Sequence, residues 1–320
     1  MSFNSYISQV ELSFVIPIYK SEINIPSLIQ RLESLIVTST WEVVFVDDGS
    51  PDSSFTVLKK LLATSSFPSK LIRHSRNYGE HQAVLTGYRN TSGMYVVNIS
   101  DDLQNPPEDG IRLKDYAKEN HLDLVFGVYS KKKHPFWRNV GSVFANTTAN
   151  FLLDLPKKVY LNSFRCVSGA LAHRVSDYDG PYPYVDGLLT QLTHNIGTLN
   201  VEHCRRNLGK STYTIRRLVR TWLNILTSFS IMPLRIASLI GVFSALVGLG
   251  GLFYVFVEIF IFGISVSGWA SLVSTILLFG GINSFLIGMV GEYVGRIFLT
   301  VSRKPQSCIR SIDHFNIINT

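Results

Sequence analysis

Apolar positions along the first third of the chain follow two patterns in turn, short continuous runs and longer stretches with helical spacing. Leu12 to Ile18, Trp41 to Val46, Leu71 to Ile72, Met94 to Ile99 and Leu122 to Val128 read as buried strands. Between them, Leu28, Leu32, Leu35 and Ile36 recur at helical spacing within Ile25 to Val37. Phe55, Leu58, Leu61 and Leu62 do so in the next segment, and Glu80 to Arg89 forms a third helix. This alternation predicts an α/β domain with a doubly wound, mostly parallel sheet, in which ligands bind beyond the carboxyl ends of the strands. A further helix is expected over Trp137 to Leu153, and Leu161 to Gly209 shows no clean period.

The last third follows a different pattern. From Thr214 to Met232, Ile215, Leu218, Val219, Trp222, Leu223, Ile225, Leu226 and Phe229 share one helical face, with Arg216, Arg217, Arg220 and Asn224 on the other. Such a basic amphipathic helix lies in a membrane interface or packs on the globular domain. No charge interrupts Ile236 to Val257 or Ile259 to Gly291, and each run exceeds the roughly 20 residues that cross a bilayer. The expected organisation is a globular α/β domain over 1–212, an amphipathic helix over 213–233 and a transmembrane hairpin over 234–300. The spans are placed at about 236–262 and 269–295, and 301–320 is read as a cytoplasmic tail. Arg216, Arg217, Arg220 and Arg235 precede the first span, and Arg296, Arg303 and Lys304 follow the second. By the positive-inside rule the N-terminal domain and both termini are then cytoplasmic. Met1 to Leu12 lacks the apolar core of a signal peptide.

Composition adds constraints. The net charge of +7 comes largely from residues near the spans and from Lys131 to Arg138. An anionic bilayer or a lipid phosphate accounts for that placement better than nucleic acid, which is not expected as a partner. Cys166, Cys204 and Cys308 have no metal-type spacing and suggest a reducing compartment. The sequons at Asn90, Asn98 and Asn146 are chance matches on this topology.

The most informative stretch is ISDDLQNPPE, Ile99 to Glu108, which sets an acidic pair at the end of an apolar run. Hard cations such as Mg²⁺ or Mn²⁺ take oxygen ligands, commonly one or two carboxylates with nucleotide phosphates supplying the rest. The pair points to a nucleotide-dependent transferase, and the plainer reading, that it opens a turn and caps the next helix as Asp before Pro-Pro often does, stands beside it. The second acidic pair, in Val46-Asp47-Asp48-Gly49-Ser50, also ends a strand, where a carboxylate can accept hydrogen bonds from a base or ribose. Gly209-Lys210-Ser211 is no phosphate loop, since the upstream glycine position is Cys204. Arg205, Arg206 and Lys210 can still neutralise a phosphate at the bilayer surface, or simply attract anionic lipid.

In order along the chain, VIPIY, VDDGS, SRNYG, ISDDLQNPPE, SFR, GKSTY and SFSIMPLR resemble the family 2 glycosyltransferases of the polyprenyl-phosphate type, from about Leu12 to Arg303. That group includes dolichyl-phosphate mannose synthase and bacterial undecaprenyl-phosphate sugar transferases. The resemblance implies a GT-A fold, a nucleotide-sugar donor with UDP favoured, a polyprenyl (undecaprenyl or dolichyl) phosphate acceptor, a lipid bilayer as partner, and inverting transfer. It implies that Pro17, Tyr19 and Asp48 contact the donor, with Asp47 holding the turn and Asp101 lining the loop. Asp102 and Gln104 are the implied ligands of Mg²⁺ or Mn²⁺. Asp102, Arg165 and Arg206 are the implied catalytic set. Arg206, Lys210 and, more loosely, Arg138 are the implied grip on the acceptor phosphate.

Two departures stand out. Ser100-Asp101-Asp102 replaces the usual Asp-x-Asp, and Lys20-Ser21 replaces a frequent Asn-Glu. Ser100 favours one alternative, a catalytically impaired membrane scaffold or accessory subunit. A polysaccharide synthase is the other alternative, and it would need more spans and a Gln-x-x-Arg-Trp segment. Ser244, Gly248 and Gly251, with Gly280, Ser284 and Gly288, are spaced for close helix packing within the hairpin or in a homo-oligomer.

Overall fold

The computed structural model describes residues 10–129, 161–201, 232–262, 268–302 and 305–316. The expected helix at 137–153, the amphipathic helix at 213–233 up to residue 231, and Arg138, Arg206 and Lys210 lie outside the described residues. Two units form the chain, one of 1–222 with 305–320 and one of 223–304.

In the first unit eight strands build one sheet. They are β1 (Leu12–Ile18), β2 (Trp41–Asp47), β3 (Ser69–His74), β4 (Tyr95–Asn98), β5 (Leu124–Tyr129), β6 (Arg165–Ser168), β7 (Ile196–Val201) and β8 (Ile309–Phe315). Their order is β7-β5-β6-β4-β1-β2-β3-β8. β1 runs parallel to β2 and β4, β2 to β3, and β5 to β7. Only β6 and β8 run against the rest. The connecting helices are α1 (Ile25–Glu33), α2 (Ser54–Leu62), α3 (Glu80–Arg89), α4 (Pro107–Glu119), α5 (Gly169–Ser176) and α6 (Val185–Leu192). This is the doubly wound, mostly parallel sheet expected of the sequence.

A sheet covered on both faces needs strands that are apolar on both sides. In β1, Leu12, Phe14, Ile16 and Ile18 pack on Ile25, Leu28 and Leu32 of α1 and Leu58 and Leu62 of α2. Val15, between them, faces the opposite layer with Val44, Val46 and Ile72, against Ala83, Val84 and Tyr88 of α3 and Leu171 and Val175 of α5. Helix α1 ends at Glu33 although the apolar spacing continues to Ile36, which is exposed. Ser34 donates its hydroxyl to the carbonyl of Arg31 at 2.8 Å, a local bond that competes with the helical ladder.

Strand β8 changes the reading of the C-terminal segment, which is not simply a tail. Residues Ile309 to Phe315 pair antiparallel with β3, from Ser69 opposite Phe315 to His74 opposite Ile309. Cys308 extends the ladder by accepting the N–H of Ser75 at 2.9 Å, and Lys59 reaches Asp313 at 2.8 Å.

The second unit contains α7 (Met232–Phe262) and α8 (Trp269–Val301). Within them Leu234–Gly251 and Leu278–Val301 are long and apolar enough to cross a membrane, with mean hydropathies of 1.7 and 1.4. Leu239, Phe243, Phe253, Phe260 and Phe285 are each more than 60% exposed, which a helix in water would not sustain on so many large apolar side chains. A Cβ added at Gly248 would only just reach Phe279, at 4.0 Å, and one at Gly251, Gly280 or Gly288 would meet nothing within 4 Å among the described residues.

Candidate active site

The carboxyl ends of β1, β2 and β4 bring the acidic motifs together. Asp48 donates its N–H to the carbonyl of Ile18 at 2.9 Å, which ties the end of β2 to the end of β1. The loop after β1 is fastened in turn by Lys20 N–H to Ser50 Oγ (3.2 Å) and Ser21 N–H to Ser54 Oγ (2.9 Å). Lys20 takes a left-handed backbone, φ 56°, with its ammonium 5.4 Å from the Tyr19 ring centroid. Tyr19 is 41% exposed, and Lys20 is exposed beside it. The Lys20-Ser21 departure thus puts an extra cation at the rim.

The two aspartates after β2 serve different ends. Asp47 is fully buried, and its Oδ1 accepts the N–H of Ser50 at 3.3 Å, so it holds the turn. Its Oδ2 lies 3.4 Å from Arg73 Nε without a hydrogen bond, and burial pushes this carboxyl above the ordinary aspartate range. Asp48 accepts N–H groups from Tyr78 (2.9 Å, Oδ1) and Gly79 (2.7 Å, Oδ2), and His74 Nδ1 at 2.8 Å. VDDGS and SRNYG are therefore two halves of one arrangement. Gly49, at φ 62°, sits where an added Cβ would come within 2.5 Å of the Arg76 backbone. Gly49→Ala should lower the melting temperature by the equivalent of about 2 kcal/mol, since it combines left-handed strain with a backbone collision that no rotamer relieves.

The loop after β4 carries the other pair. Asp101 Oδ2 accepts the Ser21 hydroxyl in a very short bond, so the loops after β1 and β4 are joined directly. Burial and the adjacent Asp102 charge push the Asp101 carboxyl up to about 6, against the opposing effect of the Ser21 bond. Asp102 Oδ1 accepts the N–H of Gln104 at 3.1 Å, and Leu103 between them has a left-handed φ of 57°. Ser100 Oγ accepts from the Asn105 amide at 3.2 Å, so the residue that departs from Asp-x-Asp braces the loop. Pro107 opens α4 two residues later, with Glu108 and Asp109 in its first turn. Among the described residues no three acidic, histidine or cysteine groups converge as a closed metal cage. Two carboxylates and the Gln104 amide remain, all hard oxygen donors, and such a partial set fits a divalent cation that shares its shell with phosphates.

Pro17, Tyr19, Asp47, Asp48, Asp101, Asp102 and Gln104 thus gather at one end of the sheet. Arg165 differs from expectation. It is 1% exposed, and its guanidinium is spent on an ion pair with Asp186 and on Tyr88 Oη at 3.2 Å. Tyr88 in turn donates to Asn98 Oδ1 at 2.5 Å. Asn98 of the second sequon is therefore buried and hydrogen-bonded. Burial opposes the charge of Arg165, and Asp186, Tyr88 and Glu80 together more than offset it. The pair joins β6 to α6 as a buried brace. Two further residues belong to this region, Glu80, which no motif contains, and Arg76 of SRNYG. Glu80 opens α3 with its charge felt at Asp101, and the exposed Arg76 lies 4.9 Å from the Tyr78 ring centroid.

An open α/β sheet with paired carboxylates in the loops beyond its strands offers a nucleotide and a divalent cation a place to bind at the carboxyl ends of the strands. Residues 13–179, more than half of the chain, match Glycosyl transferase family 2, and 232–297 match the GtrB C-terminal hairpin. The chain belongs to glycosyltransferase family 2, and it is a glycosyltransferase. It is 29% identical over 309 residues to an undecaprenyl-phosphate 4-deoxy-4-formamido-L-arabinose transferase of Pseudomonas syringae pv. syringae (strain B728a), covering 94% of this chain and 90% of that one. The protein of the same name from Yersinia pestis bv. Antiqua (strain Angola) is 28% identical over 322 residues, covering 98% and 96%. Among solved structures, glucosyl-3-phosphoglycerate synthase of Mycobacterium tuberculosis, crystallised with Mn²⁺, UDP and phosphoglyceric acid, superposes with a TM-score of 0.53 at 17% identity. That likeness covers 68% of this chain and 76% of that one, and it establishes the GT-A-like fold.

Proposed function

We propose that this protein transfers a sugar, with inversion, from a nucleotide-sugar donor to a polyprenyl phosphate at the cytoplasmic face of a membrane. The observation that carries the reading is the union, in one chain, of the family 2 domain with a GtrB-type hairpin, shared over nearly the full length with relatives named for an undecaprenyl-phosphate acceptor. Asp48 and Tyr19 would meet the nucleotide, with Pro17 shaping the loop. Asp102 and Gln104 would hold Mg²⁺ or Mn²⁺ on the donor diphosphate, with Asp101 beside them. A cation held there would supply charge neutralisation for the leaving diphosphate. UDP as the carrier draws support from the structural neighbour, which holds UDP with Mn²⁺.

An acceptor phosphate is already anionic near neutral pH, so one of its oxygens attacks the anomeric carbon without a protein base. The bond from that carbon to the diphosphate oxygen breaks, and the diphosphate departs with the electron pair. Positioning and charge neutralisation are what the protein supplies. Arg206, Lys210 and Arg138 are assigned to the acceptor phosphate by motif. The return of the chain into the sheet as β8 supports a hairpin whose two ends lie on one side, and the flanking arginines favour the cytoplasm.

The test is transfer by the full chain in lipid nanodiscs containing undecaprenyl phosphate, with a panel of nucleotide sugars, Mg²⁺ or Mn²⁺, and product read by mass. One sugar should move to the lipid. No transfer from any of them would sink the reading.

A further inference from the structure

His74, the last residue of β3, is 1% exposed and forms hydrogen bonds with both ring nitrogens. Nδ1 lies 2.8 Å from Asp48 Oδ1 and Nε2 lies 2.9 Å from Thr86 Oγ1 on α3. A carboxylate only accepts, so Nδ1 carries the proton in the bond to Asp48. The ring also meets the Tyr78 ring edge-on, at a centroid distance of 5.5 Å and 89°. Tyr78 carries the Arg76 guanidinium on its face, and its hydroxyl lies 3.0 Å from Ser75 Oγ. One imidazole therefore supports both elements of this edge of the site, the carboxylate after β2 and the turn from Arg76 to Gly79.

We propose that His74 is a positioning residue for the nucleotide donor, acting through its Nδ1 bond to Asp48 and its edge contact with Tyr78. A buried carboxylate that accepts N–H groups from His74, Tyr78 and Gly79 has one orientation open to it, and that orientation sets where the turn stands. Without the imidazole, Asp48 keeps only the two backbone donors of the turn it is meant to hold. The turn and the carboxylate can then shift together. Thr86 fixes the ring from the other side, so the arrangement runs from α3 through β3 to β2. This inference rests on the donor reading given above. It concerns nucleotide affinity, not the fate of the acceptor.

Nucleoside-diphosphate binding by calorimetry on the full chain in nanodiscs, with UDP and GDP as probes, separates the possibilities. His74→Asn keeps an N–H donor near the Nδ1 position, whereas His74→Gln moves it toward Thr86. The Asn variant should bind within about threefold of wild type, and the Gln variant about tenfold more weakly, the size of one lost hydrogen bond to a charged group. In turnover assays the Gln variant should show the loss in KM for the nucleotide sugar, with kcat and KM for the lipid phosphate nearly unchanged. A change in stability alone would not produce that split, and melting temperatures of both variants check it. Equal affinities for Asn and Gln, or a loss confined to kcat, overturn the inference. Wild-type protein that binds neither nucleotide overturns the donor reading along with it.

Discussion

Asp102→Ala should reduce sugar transfer at least about 100-fold, the scale on which removing one electrostatic contributor to a developing charge acts. The side chain is partly exposed in the loop after β4, outside the core, and its Oδ1 accepts the N–H of Gln104. Loss of the carboxylate should therefore leave the sheet intact. The variant should insert into membranes as wild type does and keep its melting temperature within about a degree, as expected of a change outside the core. Mn²⁺ binding followed by electron paramagnetic resonance, in the presence of nucleoside diphosphate, should weaken in parallel. Near-normal turnover would refute the metal assignment. Unchanged Mn²⁺ binding with lost turnover would move Asp102 from cation to substrate.

Arg165→Met should cost about 3–5 kcal/mol, because it leaves the buried Asp186 carboxylate without its partner. For a domain of ordinary stability that is a large share of the total. Asp186 is 5% exposed, and among the described bonds Arg165 is its side chain's partner. The double variant Arg165→Met, Asp186→Leu should recover much of the loss, since apolar pairs of similar volume often replace buried ion pairs at little cost. Thermal denaturation of the three proteins decides the matter. If Arg165→Met melts as wild type does while donor binding disappears, the arginine grips the diphosphate, and the buried pairing is not its main role.

These two residues also mark how far the sequence could be read. The donor end of the sheet was legible because parallel strands buried on both faces read as unbroken apolar runs, and each acidic pair falls where such a run stops. Asp102 is visible in that way. Arg165 is visible only as a motif residue, and its burial depends on Asp186, which sits in the first turn of α6 within a stretch that shows no clean period in the sequence. His74 gave no signal at all. A single histidine at a strand end acquires meaning only when Asp48 and Thr86, from other elements, close on it. Strand β8 was illegible for a different reason. Its large apolar residues, Ile309, Ile312 and Phe315, recur every third position, so no alternation announces a strand, and the pairing comes from the open edge of β3. Ser100 looked like a missing ligand, and its bond from Asn105 gives it a local task that composition could not reveal.

The pairing of β3 with β8 also orders events during synthesis. The two strands are separated in the chain by everything from α3 to the end of α8, so the edge of β3 is left unpaired while most of the polypeptide is made. Contacts between such distant segments form late and slowly. The sheet is completed only after both apolar helices have been translated, so a ribosome that stalls within the hairpin releases a catalytic domain with a bare strand edge, the kind of surface that recruits other chains. Completion of the enzyme is thereby timed to follow synthesis of its own anchor.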